Sequence, residues 1–192
     1  MHLTNYAINK LSPEFEFNTD ANKADTGHKR SMSSVFQTMR DKGEDVDEMW
    51  EEIKRMLIKT ICSAQPILAH HYKSCQPDDY HNHMCFEILG FDFLINNKLK
   101  PVLLEINHTP SFSVDTPFDR EIKTNVIHDT LKLMNVSQKM KKKIIAQKKK
   151  EMEKRVLTGK RVRLTAEEKE LIHKKCQMER DEYIEKNMGE FE

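Results

Sequence analysis

The sequence predicts an α+β fold, and three features carry that expectation. Apolar residues recur at helical spacing from Asp45 onward, two alternating runs follow between Phe86 and Asn107, and helical spacing resumes at Asp119. Beyond Asn135 a strongly basic stretch replaces the mixed pattern, so extended basic helices are expected to follow the folded part.

The N-terminal stretch MHLTNYAINK has β-branched and aromatic residues and no targeting character, and it reads as a domain entered midway. Residues 11–44 are rich in Asn, Asp, Ser, Lys and Thr without sustained periodicity; they are expected to form a long, partly mobile loop. Asp45 with Glu48 forms a capping signature. Val46, Met49, Trp50, Ile53, Met56, Leu57, Ile61, Ala64, Ile67 and Leu68 then mark one amphipathic helix with a kink expected near Pro66. HHYKSCQPDDYHNHMC reads as a loop, and Ile122, Val126, Ile127 and Met134 mark the second helix. Thr165 with Glu168 is a further capping signature, and the last two helices are expected to be largely solvated and broken near Thr158 and Gly159.

At 192 residues, 38% hydrophobic and 33% charged, the chain can bury one core of ordinary domain size. Basic and acidic residues nearly cancel, 32 against 31, so the position of the charge matters more than its sum. The four cysteines contain no CxxC pair, and no apolar run is long enough for a signal peptide or a membrane span. A reduced, soluble, intracellular protein is the expectation.

The most informative stretch is GFDFLINNKLKPVLLEIN, a greasy hairpin that nonetheless carries Asp92, Glu105 and Asn107. Pairing Asp92 with Glu105 places the turn at Lys98 and Leu99, inside a loop from Asn97 to Lys100. Phe91 then faces Ile106, Phe93 faces Leu104 and Ile95 faces Val102, an unbroken apolar face. The other face brings Asp92 beside Glu105 and Gly90 beside Asn107, with Gly90 leaving room for a ligand. A turn at Asn96 and Asn97 would instead slide the two acids more than about 10 Å apart. Two facing carboxylates on a half-buried strand call for a counter-charge, and three hard oxygens favour Mg²⁺ or Mn²⁺ over zinc. The competing reading is a pair of solvent-exposed acids on an edge hairpin.

GFDFLINNKLKPVLLEINHTPSFS resembles the closing metal-binding hairpin of ATP-grasp ligases, an acid on one strand and E-x-N on the next. With MHLTNYAINK it is similar to the tubulin tyrosine ligase-like family, and within it the polyglutamylases. The resemblance implies that residues 1–136 are the C-terminal portion of an ATP-grasp-like catalytic domain and residues 137–192 a helical, basic microtubule-binding extension. It implies ATP and Mg²⁺ as cofactors, with Asp92, Glu105 and Asn107 on the metal and His2, Leu3, Thr4 and Asn5 along the nucleotide. Glu105, Asn107 and His108 would be catalytic, His108 meeting the acceptor or the incoming glutamate. The implied reaction attaches glutamate to glutamate side chains of tubulin tails through an acyl phosphate. In the family the lysines that grip ATP precede the segment matching residue 1, so this polypeptide by itself is expected to be weak or inactive. The implied partners are tubulin and glutamate, without nucleic acid or membrane, acting as a monomer. The implied location is the cytoplasm and microtubule cytoskeleton, including the cilium axoneme or basal body.

The basic stretch from Ser137 to Arg163 holds twelve basic residues against Glu151 and Glu153. Lys141, Lys142, Lys143, Lys148, Lys149, Lys150, Arg155, Lys160, Arg161 and Arg163 are its candidate contacts with acidic tubulin tails. Aromatic residues for base stacking are missing from it, which disfavours single-stranded nucleic acid. Two other functions stay open on sequence: a non-catalytic microtubule binder, and a ligase that adds glycine or tyrosine. A zinc site from His70, His71, Cys75, His81, His83 and Cys85 fits no standard paired spacing.

Overall fold

In the computed structural model, residues 6–20, 23, 25–77, 79, 85–135, 137–159 and 165–189 are described. The element order is α1 (Tyr6–Asn9), α2 (Met32–Asp41), α3 (Val46–Cys75), β1 (Gly90–Ile95), β2 (Pro101–Asn107), α4 (Pro117–Leu133), α5 (Gln138–Thr158) and α6 (Ala166–Asn187). Two compact units divide the chain, one comprising residues 1–71 and 87–124, the other residues 72–86 and 125–192. Among the described residues no helix is long and apolar enough to cross a membrane.

The core of the first unit forms where α3 begins. Val46, Met49 and Ile53 are buried there, and Phe36, Met39, Trp50, Leu57, Phe93 and Ile95 pack around them. Phe36 meets Trp50 edge to face at 5.6 Å between ring centroids. Two members of this cluster, Phe36 and Met39, come from sequence expected to be loop, because α2 occupies ten residues of it. Ser31 caps α2 by accepting from the Ser34 N–H. At the other end Gly43, at φ +81°, allows the Gly43 and Glu44 N–H groups to reach the Arg40 and Met39 carbonyls in a Schellman motif. Phe36 and Met39, three apart between these caps, were the available signal.

The helix α3 starts as expected, with the Glu48 N–H donating to the Asp45 carboxylate at 3.0 Å. It then runs through Pro66 to Cys75, so HHYKSC is helix rather than loop. Its second half is not core: Ile58, Ile61, Ile67 and Leu68 stay exposed, because Phe93 and Ile95 of the hairpin pack only around the first turns.

The hairpin keeps the expected register at one end and abandons it at the other. Gly90 pairs with Asn107, Phe91 with Ile106 and Asp92 with Glu105, but Phe93 pairs with Leu103, Leu94 with Val102 and Ile95 with Pro101. Leu104 is thus the surplus residue of a β-bulge. The expected apolar face of Val102, Leu104 and Ile106 is therefore wrong for the lower hairpin. Pro101 is buried and Leu103 half-buried, while Val102 and Leu104 face outward. The turn explains the shift. Asn96 Oδ1 accepts from both the Lys98 and Lys100 N–H groups, and Leu99 adopts φ +57°, giving a loop from Asn96 to Lys100, one residue longer than expected.

The second helix begins two residues before Asp119. Thr116 caps α4 through its hydroxyl on the Asp119 N–H, and Pro117 takes the first helical position, where its missing N–H costs nothing. In the second unit, Gly159 at φ +63° follows α5, and Thr165 with Glu168 forms a complete capping box on α6. The last helix is less solvated than expected. Cys176 is buried, Tyr183 donates to the Lys132 carbonyl at 3.0 Å, and the Gly189 backbone lies so near Asp129 that a Cβ there would meet its Oδ2 at 2.5 Å.

This distribution of burial makes a stability test. Met49→Ala is expected to cost about 2–5 kcal/mol by chemical denaturation, whereas Ile61→Ala, on the open half of the same helix, should cost less than about 1 kcal/mol.

Candidate active site

The pairing of β1 with β2 places the Asp92 carboxylate across from Glu105, and Asn107, two residues on, donates its Nδ2 to Glu105 Oε1 at 3.2 Å. Asp92, Glu105 and Asn107 therefore come together as the register argument required. Burial, then the hydrogen bond to Glu105, then the like charge of Glu105 hold the Asp92 carboxyl above its ordinary value. Among the described residues neither acid has a basic side chain as ion-pair partner. The outward side chains of Leu94, Val102 and Leu104 extend this face toward the turn.

Gly90 serves a different end from the one expected of it. A Cβ at Gly90 would lie 3.2 Å from Pro110 Cβ and 3.6 Å from Asn107 Cβ, so the space is taken by the chain itself. The glycine lets the segment after E-x-N fold back over the start of β1, rather than leaving room for a ligand. His108, at the beginning of that segment, is exposed.

The far end of the same segment is held by a polar cluster that local spacing could not reveal. Tyr6 donates to Asp115 Oδ2 at 3.0 Å across 109 residues of sequence. The Lys29 ammonium lies 2.6 Å from Asp119 Oδ1 and 4.4 Å from the centre of the Tyr6 ring. Lys123 Nζ donates to the Ser113 carbonyl at 2.5 Å. Burial alone would raise the Asp119 carboxyl, but the hydrogen bond and charge of Lys29, the Thr116 hydroxyl and the charge of Lys123 outweigh it, and the net shift is downward. Asp119 Oδ2 is buried without a hydrogen-bond partner, and the Lys29 contact is made through Oδ1. Lys29 is itself presented by a turn closed at Gly27, whose φ of +70° and close approach to the Glu16 carbonyl exclude any side chain.

The remaining expectations fall as follows. Lys141, Lys142, Lys148, Lys149, Lys150 and Arg155 are exposed on α5. His2, Leu3, Thr4, Asn5, Lys160, Arg161 and Arg163 lie outside the described residues, as does the side chain of Lys143. Of the zinc set, His81 and His83 are outside them too; among the described residues no three His, Cys, Asp or Glu side chains gather as a metal site.

An antiparallel hairpin with two uncompensated acids and an amide, backed by helices, defines a mixed α/β domain able to offer hard oxygens to a cation on an open face. The sequence model of the tubulin-tyrosine ligase family matches residues 1–144, and the chain belongs to that family. Over all 192 residues it is 62% identical to the "Probable beta-tubulin polyglutamylase" of Tetrahymena thermophila and 42% identical to the tubulin polyglutamylase ttll6 of Danio rerio. Over 145 residues, 76% of the chain, it is 46% identical to the human tubulin polyglutamylase TTLL6. The chain spans 16%, 24% and 16% of the lengths of these three relatives.

Asp92 and Asp119 carry opposite signatures in pH. Asp92, shifted upward, weakens the fold as pH rises through its range; Asp92→Asn should therefore raise the melting temperature at pH 7, with the gain vanishing below about pH 4. Asp119, shifted downward, stabilises above its unfolded value near 4 and loses that contribution as pH falls through its folded value. Lys29→Met should thus lower the melting temperature at pH 7, and the difference from the parent should shrink as pH falls through the folded value of Asp119.

Proposed function

We propose that this chain is part of an ATP-dependent ligase that adds glutamate to glutamate side chains of tubulin tails. The observation that carries the proposal is the pairing of Asp92 with Glu105, beside Asn107 and without an internal counter-charge, in a chain so similar to tubulin polyglutamylases. The donor set fits a hard cation: two carboxylate groups and an amide, one carboxyl already disfavoured in its charged form by burial and its neighbour. Asp92, Glu105 and Asn107 would hold Mg²⁺, and His2 to Asn5 would line the nucleotide. When bound, the cation offsets the negative charge on phosphoryl oxygens, which is where such transfers need stabilisation.

The proposed chemistry is carboxylate activation. An acceptor glutamate's side-chain carboxylate oxygen attacks the terminal phosphorus of ATP and ADP departs, leaving an acyl phosphate. The amine of the incoming glutamate then attacks the acyl carbon, phosphate leaves with the bonding pair, the amine proton passes to solvent, and an isopeptide bond remains. The role of this chain is to position and to neutralise: the hairpin supplies the acids, and Pro110 against Gly90 together with Lys123 on Ser113 fixes the segment bearing His108, which would meet the acceptor or the incoming amino acid.

The exposed lysines of α5 are proposed to draw the acidic tubulin tails to the enzyme, in the cytoplasm and on the microtubule cytoskeleton.

Two measurements test this reading. With the chain grafted in place of the matching stretch of the zebrafish relative, glutamate incorporation into microtubules should persist, and Glu105→Gln should lower kcat at least about 100-fold. A pure microtubule binder would be indifferent to that substitution. Co-sedimentation of the 192-residue chain with microtubules should weaken as salt rises and be lost when Lys141, Lys142 and Lys143 are replaced by glutamate; unchanged pelleting would refute the role of α5.

A further inference from the structure

The chemistry of α5 goes beyond a row of positive charge. Its 21 residues carry nine basic side chains against two acidic ones, with no acid in the first turn. At 3.6 residues per turn, Ile145, Met152 and Val156 fall within about 40° of one another, on one narrow stripe. All three are exposed, at 56%, 69% and 76%. Lys141 and Lys148 border the stripe on one side, Lys142 and Lys149 on the other, and all four are exposed. A flexible acidic tail would satisfy the lysines and leave the apolar stripe in water. A partner that rewards both needs acidic rims on either side of an apolar trough, the arrangement by which helix-receiving grooves capture basic amphipathic helices.

We propose that α5 is a docking helix for an acidic protein that receives helices in an apolar groove, and that such a partner withdraws the helix from tubulin. The docking stands on the stripe and its charged borders; only the withdrawal rests on the proposed binding of tubulin tails by the same lysines.

The test uses the whole 192-residue chain and calcium-loaded calmodulin as the probe, an acidic protein whose methionine-rich groove opens on binding Ca²⁺. Isothermal titration should show one-to-one binding that disappears when calcium is chelated. The triple variant Ile145→Ser, Met152→Ser, Val156→Ser keeps every lysine and should bind at least about tenfold more weakly. Because the three side chains are exposed, the far-ultraviolet circular dichroism of the variant should match the parent. In microtubule pelleting, calcium-loaded calmodulin should release the parent chain and leave the triple variant on the microtubules. Absence of binding overturns the proposal. So does binding that the triple variant retains, because that would be attraction between opposite charges alone. A parent chain that binds calmodulin but never pellets with microtubules would support the docking and overturn the tubulin reading instead.

Discussion

The placement of two carboxylates opposite one another on a hairpin is the constraint around which the first unit is organised. Asp92 and Glu105 are both exposed and repel, and partial desolvation together with the hydrogen bond and charge of Glu105 moves the Asp92 carboxyl upward. Cross-strand pairing admits such a juxtaposition only when the rest of the hairpin is anchored strongly enough to hold it. The anchor is Phe93 and Ile95, packed on Val46, Met49 and Ile53, immediately next to the acidic pair along β1.

That anchoring and the acidic pairing make conflicting demands on β2, and the bulge at Leu104 reconciles them. Below it, Pro101 and Leu103 turn toward the core with Ile95 and Phe93; above it, Glu105 and Asn107 turn outward with Asp92 and Gly90. Without the surplus residue, one side of this set would face the wrong way, because a shift of one position in a strand exchanges its two faces. The bulge thus sits where the strand passes from residues that face the core to the outward acid and amide.

The segment after the hairpin is secured at both ends by contacts of different kinds. Close packing of Pro110 over Gly90 holds its start, and the polar cluster of Tyr6, Lys29, Asp115 and Asp119 holds its end. The cluster also joins residues that adjoin the two stretches carrying the family resemblance, HLTN before Tyr6 and E-x-N-H before Ser111. In the second unit, α6 is tied to α4 through Tyr183 and Lys132, while the described basic and apolar side chains of α5 are exposed. Such a surface suits a role in capturing partners better than one in building a core.

Features encoded within a few residues were legible in the sequence. These include the caps at Asp45 and Thr165, the break at Gly159, the positive charge of α5, and the pairing of Asp92 with Glu105, which follows from alternation and the presence of a turn near Lys98. The helix over residues 32–41 is not legible in the sequence, because a single Phe36–Met39 pair makes a short helix hard to distinguish from loop. What the tertiary structure alone decided lies in contacts between distant residues: which half of α3 is covered, where β2 changes face, why a side chain at Gly90 would crowd Pro110, and how Lys29 meets Asp119. Local periodicity and capping depend on neighbours along the chain, whereas a bulge, a close approach or a buried ion pair depends on what the folded chain brings against it.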